Sequence, residues 1–340
     1  MSLEVVVTDD YERMSEISAS ILISEIRRVL IEQQRIFNFG LATGNSPLGL
    51  YNLLVRRQDE LNITSDTLAK LVERHDGTRV LPIRSWNLDE YAGLPEMDPR
   101  SYKFQMEQNL FGQLNPRFAE TNIPKGWRMS EEELEKILSA GEGFAEFGQH
   151  SGKSIEISDT CQNPYLIFIR DELLREYLAS IRKAGGIDWQ VAGVGRNGHI
   201  AFHESGIPLR RRIMLVKLSE ETRNDAVEDG NFTREDVPNY ALSLGVGCFA
   251  NGDSWKYCRN VLVLASGERK TEAVANGLLG HITNDVPISY LQAYTQLDKR
   301  RAVFVLDEIA AAGILGHERE LKEKGITVKD LRKQALVYSS

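Results

Sequence analysis

IDWQVAGVG, Ile187–Gly195, is a short apolar run that breaks into a glycine-rich turn, and the same pattern recurs along the chain. LEVVVT (Leu3–Thr8) reads as a strand, followed by a helical stretch from Tyr11 to Gln34 with Ile17, Ile21, Leu22, Ile26 and Leu30 at three- and four-residue spacing. Asp9 or Asp10 is placed to cap it. IFNFGLA (Ile36–Ala42) predicts a second strand, then the turn TGNS and a helix opened by Pro47 that runs to about Gln58. VLPIRSWNL (Val80–Leu88) predicts a third strand ending in the polar DEY. PYLIFIRDELLREYLASI (Pro164–Ile181) is a long helix or a strand-to-helix element. NVLVLAS (Asn260–Ser266) and RAVFVLD (Arg301–Asp307) are nearly continuous apolar runs, as suits strands buried on both faces.

Strand and helix alternating to the end predict an α/β fold: a doubly wound, mostly parallel, Rossmann-like sheet with helices on both faces and helical insertions. Residues 1–340 read as a single domain. Its insertions lie near 59–79 and 113–163, and the second is long enough for an excursion or lid over the core. In such sheets ligands bind beyond the carboxyl ends of the strands. The turns TGNS, DEY, GRNGH and SGERK are therefore expected at one crevice.

Composition narrows the function. With 49 acidic and 41 basic residues the net charge is −8, a poor match to a polyanionic nucleic acid but compatible with a local pocket for a small anion. No apolar window is long enough for a membrane span, and the N-terminus lacks the basic region and cleavage site of a signal peptide. Three cysteines without a CxxC pair fit a reducing, cytoplasmic location.

Four turns could carry chemistry. Thr43, Gly44, Asn45 and Ser46 would offer backbone N–H groups and a hydroxyl at a helix N-terminus, suited to a phosphate. Taken alone, plain capping by Ser46 with Pro47 at the first helical position covers that turn. Asp89 and Glu90 sit at a strand's carboxyl end, where a positioned carboxylate can take a proton α to a carbonyl; a solvated loop or a helix cap is the ordinary alternative. Gly193, Gly195 and Gly198 give GxGxxG after a strand, but no helix-forming segment follows, which argues against a dinucleotide. His199 suits a general acid/base, with Glu204 or Asn197 to orient its ring. His199 and His203 lie four apart, yet a zinc site lacks an evident third ligand. Lys270, in the first turn after SGER, could meet an anion as a point charge against the helix dipole.

Together, LATGNSPLGLY, NLDEYAGL, GVGRNGHIAFHE, LSEETR, VPNYALSLGVG and LVLASGERKTEAV resemble the glucosamine-6-phosphate deaminase (isomerase) family, in the wider group that includes 6-phosphogluconolactonases. The resemblance spans about residues 36 to 308. It implies a cofactor-free reaction in which an amino-sugar 6-phosphate isomerises to a 2-keto sugar phosphate and loses ammonia. His199 would open the ring, Glu204 would orient or tune it, and Asn197 would hold the same array. Asp89 would move the proton between C2 and C1, and Glu90 would be structural. Thr43, Gly44, Asn45, Ser46 and Lys270 would hold the phosphate and substrate. A small sugar phosphate is the expected partner, in a homo-oligomer without nucleic acid or membrane.

The chain departs from that family at named positions. Glu228 falls where a phosphate-binding arginine is usual, so Arg234 or one of Arg210, Arg211 and Arg212 is expected to substitute, or the substrate differs. His203 and Ser205 replace the usual Asn and Pro. RIMLVKL lacks the basic residues of the family's activator site, so no activation by an acetylated sugar phosphate is expected. Glu228 favours a related sugar, of galactosamine type or without phosphate, whereas Lys270 and the GNS turn oppose it. A non-catalytic sugar-phosphate sensor would usually lose the catalytic pair, but Asp89 and His199 are both present.

Overall fold

The chain lays down thirteen strands among the described residues: β1 (Leu3–Thr8), β2 (Phe37–Leu41), β3 (Leu81–Asn87), β4 (Asp89–Tyr91), β5 (Phe118–Asn122), β6 (Phe144–Phe147), β7 (Lys153–Ile157), β8 (Ile187–Gly193), β9 (Ile213–Lys217), β10 (Tyr240–Leu244), β11 (Cys258–Ala265), β12 (Ala302–Asp307) and β13 (Ile326–Asp330). The structure, a computed structural model, describes residues 2–63, 77–250, 253–297 and 299–333. Most of the 59–79 insertion, residues 64–76, lies outside the described residues. No described helix is long and apolar enough to cross a membrane.

Eight strands form one sheet in the order β13-β1-β12-β11-β8-β2-β3-β5, and every neighbouring pair in it is parallel. The continuous apolar runs have a direct cause. Val261, Val263 and Ala265 of β11 join Phe304 and Leu306 in the core on one face. Leu262 and Leu264 turn to the other face, against Val303, Val305 and the helix α1 (Tyr11–Glu32). A period-2 strand covered on both sides needs apolar residues at every position. Asp10 caps α1 by accepting the Arg13 N–H at 2.8 Å. The buried face of α1 is centred on Met14, Leu22, Ile26 and Leu30, with Ile17 and Ile21 half-buried at its margin.

A second sheet, β4-β10-β9-β7-β6, is antiparallel throughout, and the sequence reading did not include it. Asp-Glu-Tyr is not the polar tail of β3 but a strand of this other sheet. The 113–163 segment likewise differs from the expected lid or helical excursion. It supplies the edge strand β5, a helix at Glu131–Ser139 and the β6–β7 hairpin, and none of its residues lines the crevice described below. Pro164–Phe168, Ile169–Arg175 and Glu176–Lys183 follow on as one helix with a wide central π segment, capped by Asn163.

The amino ends of the central strands are tied by one carboxylate. Asp188 of β8 is buried and accepts two bonds from Arg35, both 2.7 Å, one from the Asn38 N–H at 2.9 Å and one from Arg259 at 3.0 Å. It thereby joins β8 to β2 and β11. Asp188→Asn strands two cations against a neutral amide. Because both arginines are about a third exposed, the expected loss is ~2–3 kcal/mol, near or below the low end of the range for breaking a buried pair. Urea unfolding measures it, and a loss below about 0.5 kcal/mol, the level of a neutral surface substitution, would remove Asp188 as the tie.

Candidate active site

Strand order reverses between β2 and β8: from β2 the chain builds outward through β3 to β5, and from β8 it builds the other way through β11 to β12. The turns after these strands separate and leave a crevice, as the topology of an open parallel sheet requires. Its volume is about 740 Å³, and the turns at Thr43–Pro47, Gly193–Arg196 and Ser266–Lys270 line it together with Asp89 and His199. The expected convergence of the four turns holds.

Asp89 reaches the crevice because the chain changes sheets one residue earlier. The Leu88 N–H donates to the Leu41 carbonyl of β2 at 2.9 Å, and the Leu88 carbonyl accepts from the Leu244 N–H of β10 at 2.7 Å. The Asp89 side chain is 6% exposed and has no hydrogen-bond partner among the described residues. Burial, with the adjacent Glu90 charge, holds its pKa well above the usual aspartate range. Glu90 is placed differently. Its carboxylate accepts from the N–H groups of Tyr91 and Tyr102 (both 2.9 Å) and Lys103 (2.8 Å), so it holds the start of the helix Tyr102–Asn109. Burial still raises it to about 7.

His199 packs against Gly195, where a Cβ would sit 2.0 Å from the ring Cε1. Only glycine leaves room for the imidazole there. The Asn197 carbonyl oxygen accepts from the His199 N–H at 3.2 Å and from the ring Nδ1 at 2.8 Å. An amide oxygen accepts only, so Nδ1 carries the proton and Nε2 keeps its lone pair. Burial, assisted by the Lys270 charge, lowers the His199 pKa to about 3. The ring is neutral at physiological pH and suited to accept a proton.

Glu204 departs from its expected role, because it makes no bond to His199. Its buried carboxylate accepts from the Ser219 N–H (3.1 Å), the Ser219 hydroxyl (3.1 Å) and the Thr222 hydroxyl (3.0 Å). It anchors the start of the helix Glu220–Glu228 and does not line the crevice. His203 is a core histidine: Nε2 bonds the Ile207 carbonyl at 3.2 Å and Nδ1 accepts the Val246 N–H at 3.3 Å.

Another wall of the crevice combines two turns. Ser46 does not cap the helix α2 (Leu48–Arg56); Pro47 takes the cap position, and in the first turn the Gly49 N–H donates to the Tyr11 hydroxyl at 2.7 Å. Gly44 adopts φ +111, a conformation open to glycine, and the Thr43 hydroxyl is buried without a partner among the described residues. Opposite, Asp307 accepts from the Ser266 hydroxyl (2.5 Å) and the Gly267 N–H (3.0 Å), which sets the turn bearing Lys270. Burial lowers the Lys270 pKa, and nearby Asp225 and Asp229 counter it.

The expected arginine substitutes are elsewhere. Arg234, Arg210, Arg211 and Arg212 do not line the crevice; Arg211 pairs with Glu156 at 2.7 Å and Arg212 with Asp253. Arg196 and Arg269 line it instead. Both lie inside the quoted turns, but at positions whose direction the motif does not reveal. Asp307 was legible only as the last residue of a strand.

The chain is 32% identical over 312 residues to a glucosamine-6-phosphate deaminase of Clostridioides difficile (strain 630), covering 91% of this chain and 96% of that protein. It is 28% identical over 313 residues to one of Clostridium botulinum (strain Loch Maree / Type A3), covering 91% and 98%. Among solved structures it matches a monomeric glucosamine-6-phosphate deaminase with TM-score 0.61 and 26% identity, over 92% of this chain and all of that one. That likeness lends no support to the expected homo-oligomer. A 6-phosphogluconolactonase from Leishmania guyanensis shares the fold, with TM-score 0.57 and 15% identity over 92% and 99% of the two chains. No family model matches the chain.

The Asn197–His199 geometry gives a direct test. Asn197→Asp puts a carboxylate against Nδ1 and is expected to lift the His199 titration midpoint from about 3 by roughly one pH unit or more. Proton NMR of the ring Cε1–H reads this. An unmoved midpoint would mean that Asn197 does not hold the ring.

Proposed function

The chain belongs to the glucosamine-6-phosphate deaminase family, at 32% identity across 91% of its length to a curated member, and from that premise we propose how its crevice works. The protein is an amino-sugar-phosphate deaminase/isomerase acting on glucosamine 6-phosphate or a close relative. One observation carries the assignment of roles: Asp89, a buried carboxylate without a bonding partner among the described residues, and His199, a neutral imidazole whose Nδ1 is bonded to Asn197, line the same crevice.

The sugar enters as a closed ring. His199 Nε2 accepts the C1 hydroxyl proton and delivers it to the ring oxygen as the C1–O5 bond breaks, leaving an open-chain aldehyde. The C2 proton, now α to a carbonyl, is acidic enough for a positioned carboxylate to remove. Asp89 takes it, forming an enediol-like species with nitrogen at C2, and returns it to C1. The resulting C2 imine adds water and expels ammonia, which leaves the 2-keto sugar phosphate. Asn197 orients His199 as its neutral hydrogen-bond acceptor. Glu204 is a positioning residue that holds the helix bordering the crevice. The Thr43 hydroxyl, Gly44, Asn45, Ser46 and Lys270 hold the phosphate and substrate.

Asp89→Asn is expected to lower ketose and ammonia formation from glucosamine 6-phosphate by ~10²–10⁴-fold, the usual contribution of a positioned base, while leaving substrate affinity within a few-fold. Retention of more than a tenth of the activity would remove Asp89 from the mechanism. The pH dependence has a definite sign. Only ionised Asp89 is a base and its pKa is raised, so kcat/KM climbs with pH along an acid limb lying above the ordinary aspartate value of about 3.9. His199, neutral above about 3, does not set that limb. Glu90→Gln removes the neighbouring charge and is expected to move the limb to lower pH; a limb that stays in place would show that this charge does not act on the base.

A further inference from the structure

Two arginines on the crevice wall are held by the acidic end of a single helix. Arg196, on the turn after β8, meets Asp225 at 2.8 Å and Glu228 at 2.6 Å. Arg269, on the turn after β11, meets Asp229 at 3.4 Å and Glu228 at 3.6 Å. The helix Glu220–Glu228 has no basic residue in its last turn. Three carboxylates therefore crowd a helix C-terminus, where the dipole already places partial negative charge. The two arginines, brought in by other strands, offset that charge. Both are about half exposed, so each ion pair is screened by water and easily exchanged. Arg196, Arg269 and Lys270 line the crevice together with Asp225 and Asp229, whereas Glu228 does not.

We propose that Arg196 and Arg269 are the phosphate-recognising guanidinium pair of this chain, with Glu228 as an internal counter-ion that the incoming phosphate displaces. The proposal rests on the reading above that the substrate carries a phosphate. A phosphate dianion offers two planar guanidinium groups more charge and more acceptor oxygens than one carboxylate, so the exchange favours the ligand. Lys270, half-buried on the same turn as Arg269, adds a positive charge that Glu228 does not contact. Glu228 thus occupies a position where it competes for the arginines without facing the ligand itself. Removing its charge should strengthen anion binding, and removing either arginine should weaken it.

Calorimetric titration with inorganic phosphate tests this on the full-length protein. Arg196→Gln is expected to raise the phosphate Kd about tenfold or more, the usual size of a lost charge-assisted bond, and Arg269→Gln to raise it severalfold. Glu228→Gln is expected to lower Kd about threefold or more, and Arg234→Gln to leave it unchanged. An indifferent Arg196→Gln variant, weaker binding by Glu228→Gln, or no phosphate binding by the unaltered protein would each overturn the proposal. Turnover of glucosamine 6-phosphate by the unaltered protein is measured in parallel. Absent turnover with the expected phosphate pattern would sink the enzymatic reading alone, and turnover without that pattern would sink the arginine pair alone.

Discussion

At Leu88 one residue serves two sheets: its N–H completes the parallel ladder at the end of β2, and its carbonyl accepts from the antiparallel strand β10. Backbone groups buried at such a crossing must all find partners, so the path of the chain here is closely specified. It leaves Asp89 as the first residue beyond the parallel sheet, at the carboxyl end of the strands and against the reversal between β2 and β8. The second sheet is therefore not an appendage. It takes up the strand that carries Asp89, a residue only 6% exposed. Displacing this crossing by one residue would turn Asp89 to the opposite face, because side chains alternate along a strand.

Burial then decides protonation, in opposite directions for the two central groups. It disfavours the charged form of each, which raises an acid and lowers a base. Asp89 rises above its usual range, whereas His199 falls to about 3. Glu90 is also buried, yet three backbone N–H groups hold it to about 7. Adjacent carboxylates thereby take different work: the one with hydrogen bonds fixes a helix, and the one without them faces the crevice. That contrast cannot be read from two adjacent acidic letters.

The features legible in the sequence were those written in local chemistry. Continuous apolar strands such as Val261–Ala265, alternating between two cores, follow from burial on both faces, and the turns TGNS and GRNGH mark strand ends by their glycines. The antiparallel sheet was not legible because its strands are short and lie far apart in the chain, from Asp89 to Leu244, so their pairing is a long-range fact. Glu204 illustrates a second limit. Five residues from His199 in sequence, it is near enough to suggest a role in orienting the ring, but Ser219 and Thr222 offer three donors that a buried carboxylate needs more. Arg196 and Arg269 illustrate a third, since a turn's sequence names its side chains without giving their directions.

The neutral partner at position 197 is consistent with the rest of the charge arrangement. A carboxylate there would stabilise a protonated imidazole, and a protonated imidazole has no lone pair with which to accept a hydroxyl proton. Asn197 orients the ring through the same Nδ1 bond while adding no charge. Lys270, lining the same crevice, pushes the balance further toward the neutral ring. Under the proposed roles, the positive charge that would recognise an anion and the lone pair that would open a ring assist each other: a cation in the crevice also keeps Nε2 free. A cation paired too tightly by the protein's own carboxylates would lose both effects. The half-exposed contacts of Glu228 balance Arg196 and Arg269 through ion pairs that water screens.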